Sequence, residues 1–156
     1  MKQAIKRIVV GVDGSEHDVA VLRAAESEAR RRRADLCPVL VFDCSTQVPA
    51  HRHDPAHDVH ERFCHDEAME TLSHICDQAI GRGGDAPVVT PAVVPDQDAA
   101  RALVGQASRT GDLLIVGAGK HGTLHRLLYG SLDRYCRKNA PCPVIVVPQT
   151  NGKRAH

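Results

Sequence analysis

Short apolar runs alternating with longer amphipathic stretches constrain this chain more than any other feature of its sequence. Ile8-Val9-Val10-Gly11-Val12 is a continuous, mostly β-branched run, the pattern of a strand buried on both faces. Asp13-Gly14-Ser15 breaks it, and Ser15 can cap a helix reaching about Arg33, with Val19, Leu22, Ala25 and Ala29 at helical spacing. Arg30 to Arg33 close that helix, where positive charge suits the dipole. Cys37 to Phe42 is the second run. A loop rich in His, Asp and Pro follows, then a helical stretch from about Asp58 to Ile80 with Met69, Leu72, Cys76 and Ala79 on one side. Pro87 to Val94 is a third run, and Pro91 inside it marks an edge or irregular strand. Asp96 or Asp98 can cap a helix burying Ala99, Ala100, Leu103, Val104 and Ala107. Asp112 to Val116 is the fourth run. Leu124 to about Asn139 forms the last helix, with Leu124, Leu128 and Tyr135 inward, and Pro143 to Val147 the final strand.

The order β-α-β-α-β-α-β-α-β predicts a doubly wound α/β fold, a mostly parallel sheet with helices on both faces. No linker or repeat divides it, so the reading is one domain over residues 1–148 and a C-terminal tail over 149–156. With 20 basic and 19 acidic side chains, no global field draws the chain to nucleic acid or an anionic membrane. The arginine cluster is therefore read as a helix end rather than a nucleic-acid patch. Aromatic residues are 3%, which leaves almost nothing for bases to stack on. No stretch approaches the roughly 20 apolar residues that span a bilayer, and Ile8 to Val10 is too short for a secretory signal. A cytoplasmic protein is expected. Cys37, Cys44, Cys64, Cys76, Cys136 and Cys142 show no CxxC and no regular spacing, so they read as free thiols without a structural zinc cluster.

In such sheets ligands bind beyond the carboxyl ends of the strands, where the winding reverses. Two loops qualify: Gly11-Val12-Asp13-Gly14-Ser15 and Gly117-Ala118-Gly119-Lys120-His121-Gly122. The glycines of the second free its backbone to aim N–H groups at an anion, although a glycine-rich turn also serves simply to redirect the chain. Gly117, Gly119 and Gly122 fit GxGxxG, but a dinucleotide fingerprint needs an acidic residue about 20 positions later on another strand. Here one strand remains, and Val144 to Val147 ends in no carboxylate. A Walker loop fails too, because His121 follows Lys120 and Leu114 stands at the first glycine position.

Taken together, Ile8 to Ser15 (IVVGVDGS), Asp112 to Gly117 (DLLIVG), Leu127 to Ser131 (LLYGS) and Ala140 to Val147 (APCPVIVV) resemble the universal stress protein family over nearly the whole chain. The resemblance implies a five-stranded parallel sheet in the order 3-2-1-4-5, which brings the Asp13 and Gly117 loops together. It also implies a homodimer paired through Val144 to Val147, and an adenine nucleotide, ATP with Mg²⁺. ATP-binding members carry G-x2-G-x9-G-(S/T). Gly117 matches the first glycine and Gly130-Ser131 the final pair, but Lys120 replaces the second glycine. Its ammonium can reach the phosphates, with Gly119 or Gly122 supplying flexibility; alternatively its side chain fills the site and leaves a nucleotide-free interaction protein. By the same resemblance Asp13 approaches the ribose or a phosphate-bound Mg²⁺, Val41 faces the adenine through its backbone, and Gly11 and Val12 line the base side. Val116, Gly122 and Leu132 complete the set. Asp13 and Ser131 could equally be helix caps, and Val41 could be core. No catalytic residue is assigned, and any hydrolysis is expected to be slow and incidental.

One motif stands apart. His51, His53, His57, His60 and His65 crowd one loop and the start of the second helix, where His57, Glu61 and His65 step by four, as do His60 and Cys64. These spacings place metal-ligand types on shared helix faces. Interleaved Arg52, Asp54, Asp58, Arg62, Asp66 and Glu67 also suit a solvated, pH-sensitive surface. His121 and His125 add potential positive charge beside the glycine-rich loop.

Overall fold

The computed structural model describes residues 4–44, 55–81, 83–118 and 132–148. The elements are β1 (Arg7–Val12), α1 (Asp18–Arg32), β2 (Asp35–Phe42), α2 (Pro55–Ala79), β3 (Ala92–Pro95), α3 (Ala99–Gln106), β4 (Asp112–Gly117), α4 (Leu132–Asn139) and β5 (Val144–Val147). The strands form one sheet in the order β3-β2-β1-β4-β5, every pair parallel. This is the doubly wound order the sequence implies. None of the described helices is long and apolar enough to cross a membrane.

Both faces of the sheet are covered, which explains the unbroken apolar runs. Ile8 and Val10 of β1, with Leu113 and Ile115 of β4, pack under Val21, Leu22, Ala25 and Ala29 of α1 and Ile75 of α2. The alternate residues Val9, Val39, Leu114 and Val116 pack against Leu103 of α3 and Cys136 of α4. Full burial of each of the Val, Leu and Ile side chains stabilises by about 1.5–3 kcal/mol. α3 rides close to the sheet: a Cβ on Gly11 would stand 2.6 Å from Leu103 Cδ1.

The central strand makes two ladders of unequal length. β1 pairs with β2 from Arg7–Asp35 to Val12–Leu40, but with β4 only from Arg7–Asp112 to Val10–Ile115. β1 and β4 therefore part at their carboxyl ends, which opens the crevice of a topological switch point.

Several expectations shift in detail. α1 begins at Asp18 behind a His17 N-cap without a side-chain cap bond, so Ser15 is not its cap. The preceding turn is closed by other groups, described below. α3 is capped by Asp98, which accepts the Arg101 N–H at 3.1 Å, while Asp96 accepts the Asp98 N–H at 2.9 Å. β3 proper starts after Pro91; Val89 makes only an isolated bridge to Leu36. In α4 it is Cys136, not Tyr135, that is buried, because the inward stripe runs Leu132, Cys136, Ala140. Leu124 and Leu128 fall outside the described residues. In α2 the buried set is Ala68, Leu72, Ile75 and Ala79, with Cys76 at its edge.

A larger correction concerns the thiols. Cys44 and Cys64 are joined by a disulfide, their Cα atoms 6.2 Å apart; Cys37, Cys76, Cys136 and Cys142 are free. The exit of β2 sets Cys44 over the first half of α2, a proximity that the 20-residue separation concealed.

Candidate functional site

The β1–α1 turn is organised by a residue whose role the sequence did not reveal. Asp18, buried in the first turn of α1, accepts the N–H of Asp13 at 3.0 Å and of Gly14 at 2.6 Å. Asp13 Oδ1 in turn accepts the Ser15 N–H at 2.9 Å, and Gly14 takes the left-handed φ of 87° that the turn requires. Three consecutive amides at the helix start are thus satisfied from within. Burial pushes the Asp18 carboxyl up to about 7; the nearby Asp13 charge adds to that rise, and the two N–H bonds limit it. The one visible signal for Asp18 was an acidic residue in a helix first turn, which ordinarily reads as a dipole partner.

Across the crevice, Gly117 ends β4 against α1. A Cβ there would lie 2.9 Å from Val21 Cγ2 and 3.0 Å from His17 Cδ2, so close helix packing alone demands glycine. His17 Nε2 is buried beside it, with no hydrogen-bond partner among the described residues. Ala118 donates to the Val147 carbonyl at 2.9 Å and carries the β4–β5 pairing past the strand end.

The remaining candidates differ in where they lie. Val116 is fully buried, and Val12 packs with Leu40, Ala68 and Leu72, so both side chains belong to the core. Val41 is different. It is half-buried, opposite Val94 in the β2–β3 register, and lies with Val94 and Val104 along the α3 face. Val41 and Val94 make a partly open aliphatic wall near the carboxyl ends of β2 and β3, and Val104 packs on the same core layer. Leu132 begins α4 and packs inward. Gly119, Lys120, Gly122, Gly130 and Ser131 lie outside the described residues, as do His121 and His125.

A groove of about 410 Å³ opens beside the turn, between Gly14, Val19, Glu70 and His74. With Glu16 and Glu70 on its walls it is a poor cradle for phosphate. Of the histidine stretch, His51 and His53 lie outside the described residues, as does the side chain of His57. His65 meets Phe42 edge to face with ring centres 6.4 Å apart, and His60 Nε2 lies 3.6 Å from Cys64 Sγ. Three arginines of the cluster are paired: Arg30 with Glu26 and Asp85, Arg31 and Arg32 with Glu28.

Comparison with known proteins bears on this geometry. A family model described as "Universal stress protein family" matches residues 4–148. Among solved structures, a universal stress protein in complex with cAMP superposes with a TM-score of 0.66 at 21% identity, covering 94% of this chain and 99% of that one. Universal stress protein UspA from Lactobacillus plantarum gives 0.63 at 24% identity, with 94% and 99% covered. The universal stress protein from Archaeoglobus fulgidus in complex with dAMP gives 0.54 at 20%, with 92% and 98% covered.

Proposed function

The chain belongs to the universal stress protein family, and on that premise we propose that it is a cytoplasmic regulatory module binding an adenine nucleotide, ATP with Mg²⁺, in the crevice between β1 and β4. The observation that carries the reading is the parting of β1 and β4 at their carboxyl ends, with the partly buried Val41–Val94 pair near the same ends of β2 and β3. An adenine needs an apolar face of this kind where aromatic rings are scarce. Structures of similar proteins holding cAMP and dAMP support the same ligand class.

Asp13 is exposed just past the end of β1, which supports its assignment to a ribose hydroxyl or a phosphate-bound Mg²⁺. The Asp13, Gly14 and Ser15 amides are already engaged, so phosphates would be held by the Gly117–Gly122 loop and Gly130-Ser131, with the Lys120 ammonium as a point charge. Bound Mg²⁺ would supply charge neutralisation; no side chain is assigned a catalytic role. A homodimer through β5 completes the proposal, because Val144 to Val147 form a half-exposed apolar edge.

Calorimetric titration with ATP and Mg²⁺ tests the reading, with a Kd below millimolar expected; absence of heat at submillimolar ATP rejects it. The second reading, a nucleotide-free interaction protein, draws on those same engaged amides. Lys120→Gly separates the two: weaker ATP binding makes the lysine a ligand, and tighter binding makes it an obstruction.

A further inference from the structure

One cluster of soft ligands is formed by residues that the candidate nucleotide site does not use. Cys44 Sγ, His60 Nε2 and Cys64 Sγ all fall within 4.8 Å of one another at the exit of β2. His60 and Cys64 are one turn apart on α2, and the Phe42–His65 contact pins the β2 exit against that helix. A disulfide needs no histidine, yet His60 Nε2 stands 3.6 Å from Cys64 Sγ. A tetrahedral cation with Zn–S of about 2.3 Å and Zn–N of about 2.0–2.1 Å sets its sulfur and nitrogen ligands about 3.6 Å apart. The other thiols offer no comparable chemistry: burial pushes Cys76 and Cys136 each up to about 11.

We propose that, in the reduced protein, Cys44, His60 and Cys64 bind one thiophilic d¹⁰ cation of the Zn²⁺ class, with solvent on its open position, and that the Cys44–Cys64 disulfide is the oxidised, metal-free form of the same site. Two thiolates and an imidazole are the donor set such an ion selects. The oxidant is a peroxide. One thiolate attacks the peroxide, breaking the O–O bond, and the second displaces the resulting sulfenate oxygen to form the S–S bond. The two sulfurs give up two electrons in total, two protons from solvent complete two water molecules, and the ion, left with imidazole alone, departs. Metal and disulfide exclude one another at this site.

The experiment uses the full chain, reduced with a phosphine and freed of reductant, then titrated with Zn²⁺ against a chromophoric chelator. One Zn²⁺ per chain is expected, with at least tenfold weaker binding in the oxidised protein and in His60→Ala, and loss of that site in Cys44→Ser. Co²⁺ in place of Zn²⁺ should give thiolate-to-cobalt charge-transfer absorption that Cys44→Ser abolishes. Peroxide added to the Zn²⁺-loaded protein should release one equivalent of metal as mass spectrometry records the loss of two hydrogens. Circular dichroism confirms that each variant is folded. Reduced protein that binds no Zn²⁺ at micromolar concentration overturns the proposal. So does binding that Cys44→Ser and oxidation leave unchanged, which would assign the metal to the neighbouring histidines.

Discussion

Asp18 reaches back across the β1–α1 turn to accept the backbone N–H of Asp13 at 3.0 Å, so a buried carboxylate fixes the loop that carries an exposed one. The two acids are coupled, since the charge on Asp13 is among the causes that raise Asp18 to about 7. A folded pKa above the unfolded value near 3.8 means that the native state binds the extra proton. This contribution to stability is therefore full below about pH 4 and declines as pH rises to about 7, by at most about 1.4 kcal/mol per pH unit. Asp18→Asn should flatten that decline in urea unfolding measured across the window. Asp18→Ala leaves two amides unsatisfied and should cost about 1–3 kcal/mol at neutral pH.

The opposite sign is expected at the other end of β1. Arg7 Nε and a terminal guanidinium nitrogen donate to the two Asp112 oxygens at 2.9 and 2.8 Å, and the Arg109 N–H adds a third bond at 2.9 Å. Burial of Asp112 opposes its ionisation, but these bonds prevail and hold its pKa below the usual carboxylate range. Their contribution is present above about pH 4 and lost as pH falls through the lower folded value. Arg7→Met should cost about 1.5–3 kcal/mol at pH 7, since Arg7 is partly solvent-screened, and less as the pH drops toward 3.

Gly117→Ala pushes a methyl into Val21 and His17 and should destabilise by about 1–3 kcal/mol. Adding Val21→Ala should recover part of that loss. Recovery of stability without recovery of ATP affinity would separate helix packing from nucleotide contact at this position.

Val41→Thr exchanges one methyl of the aliphatic wall for a hydroxyl at nearly constant volume. Loss of about 0.8 kcal/mol of apolar contact corresponds to about fourfold weaker ATP binding by calorimetry. The same change at buried Val12 should instead lower Tm.

The elements that sequence reads well are those in which composition and location coincide. Ile8 to Val12 and Asp112 to Val116 are recognisable because a strand covered on both faces must be apolar at every position. The resemblance of separated motifs then supplied the strand order. What escaped depends on contacts between distant residues. The Cys44–Cys64 bond joins the exit of one strand to a helix 20 residues later, and no spacing rule encodes it. Asp18 looked like an ordinary first-turn acid until its carboxylate was seen to close the turn before it. Tyr135 and Cys136 exchanged places because two adjacent positions on a short helix differ by about 100° of rotation, and packing alone selects the phase.

The two ladders of β1 make the sheet resemble a clothes-peg. Its closed end is riveted by the Arg7–Asp112 pair, and its jaws, Gly11-Val12 and Gly117, stand apart at the other. A visitor between the jaws meets a frame already braced, so little of its binding energy is diverted into arranging the strands.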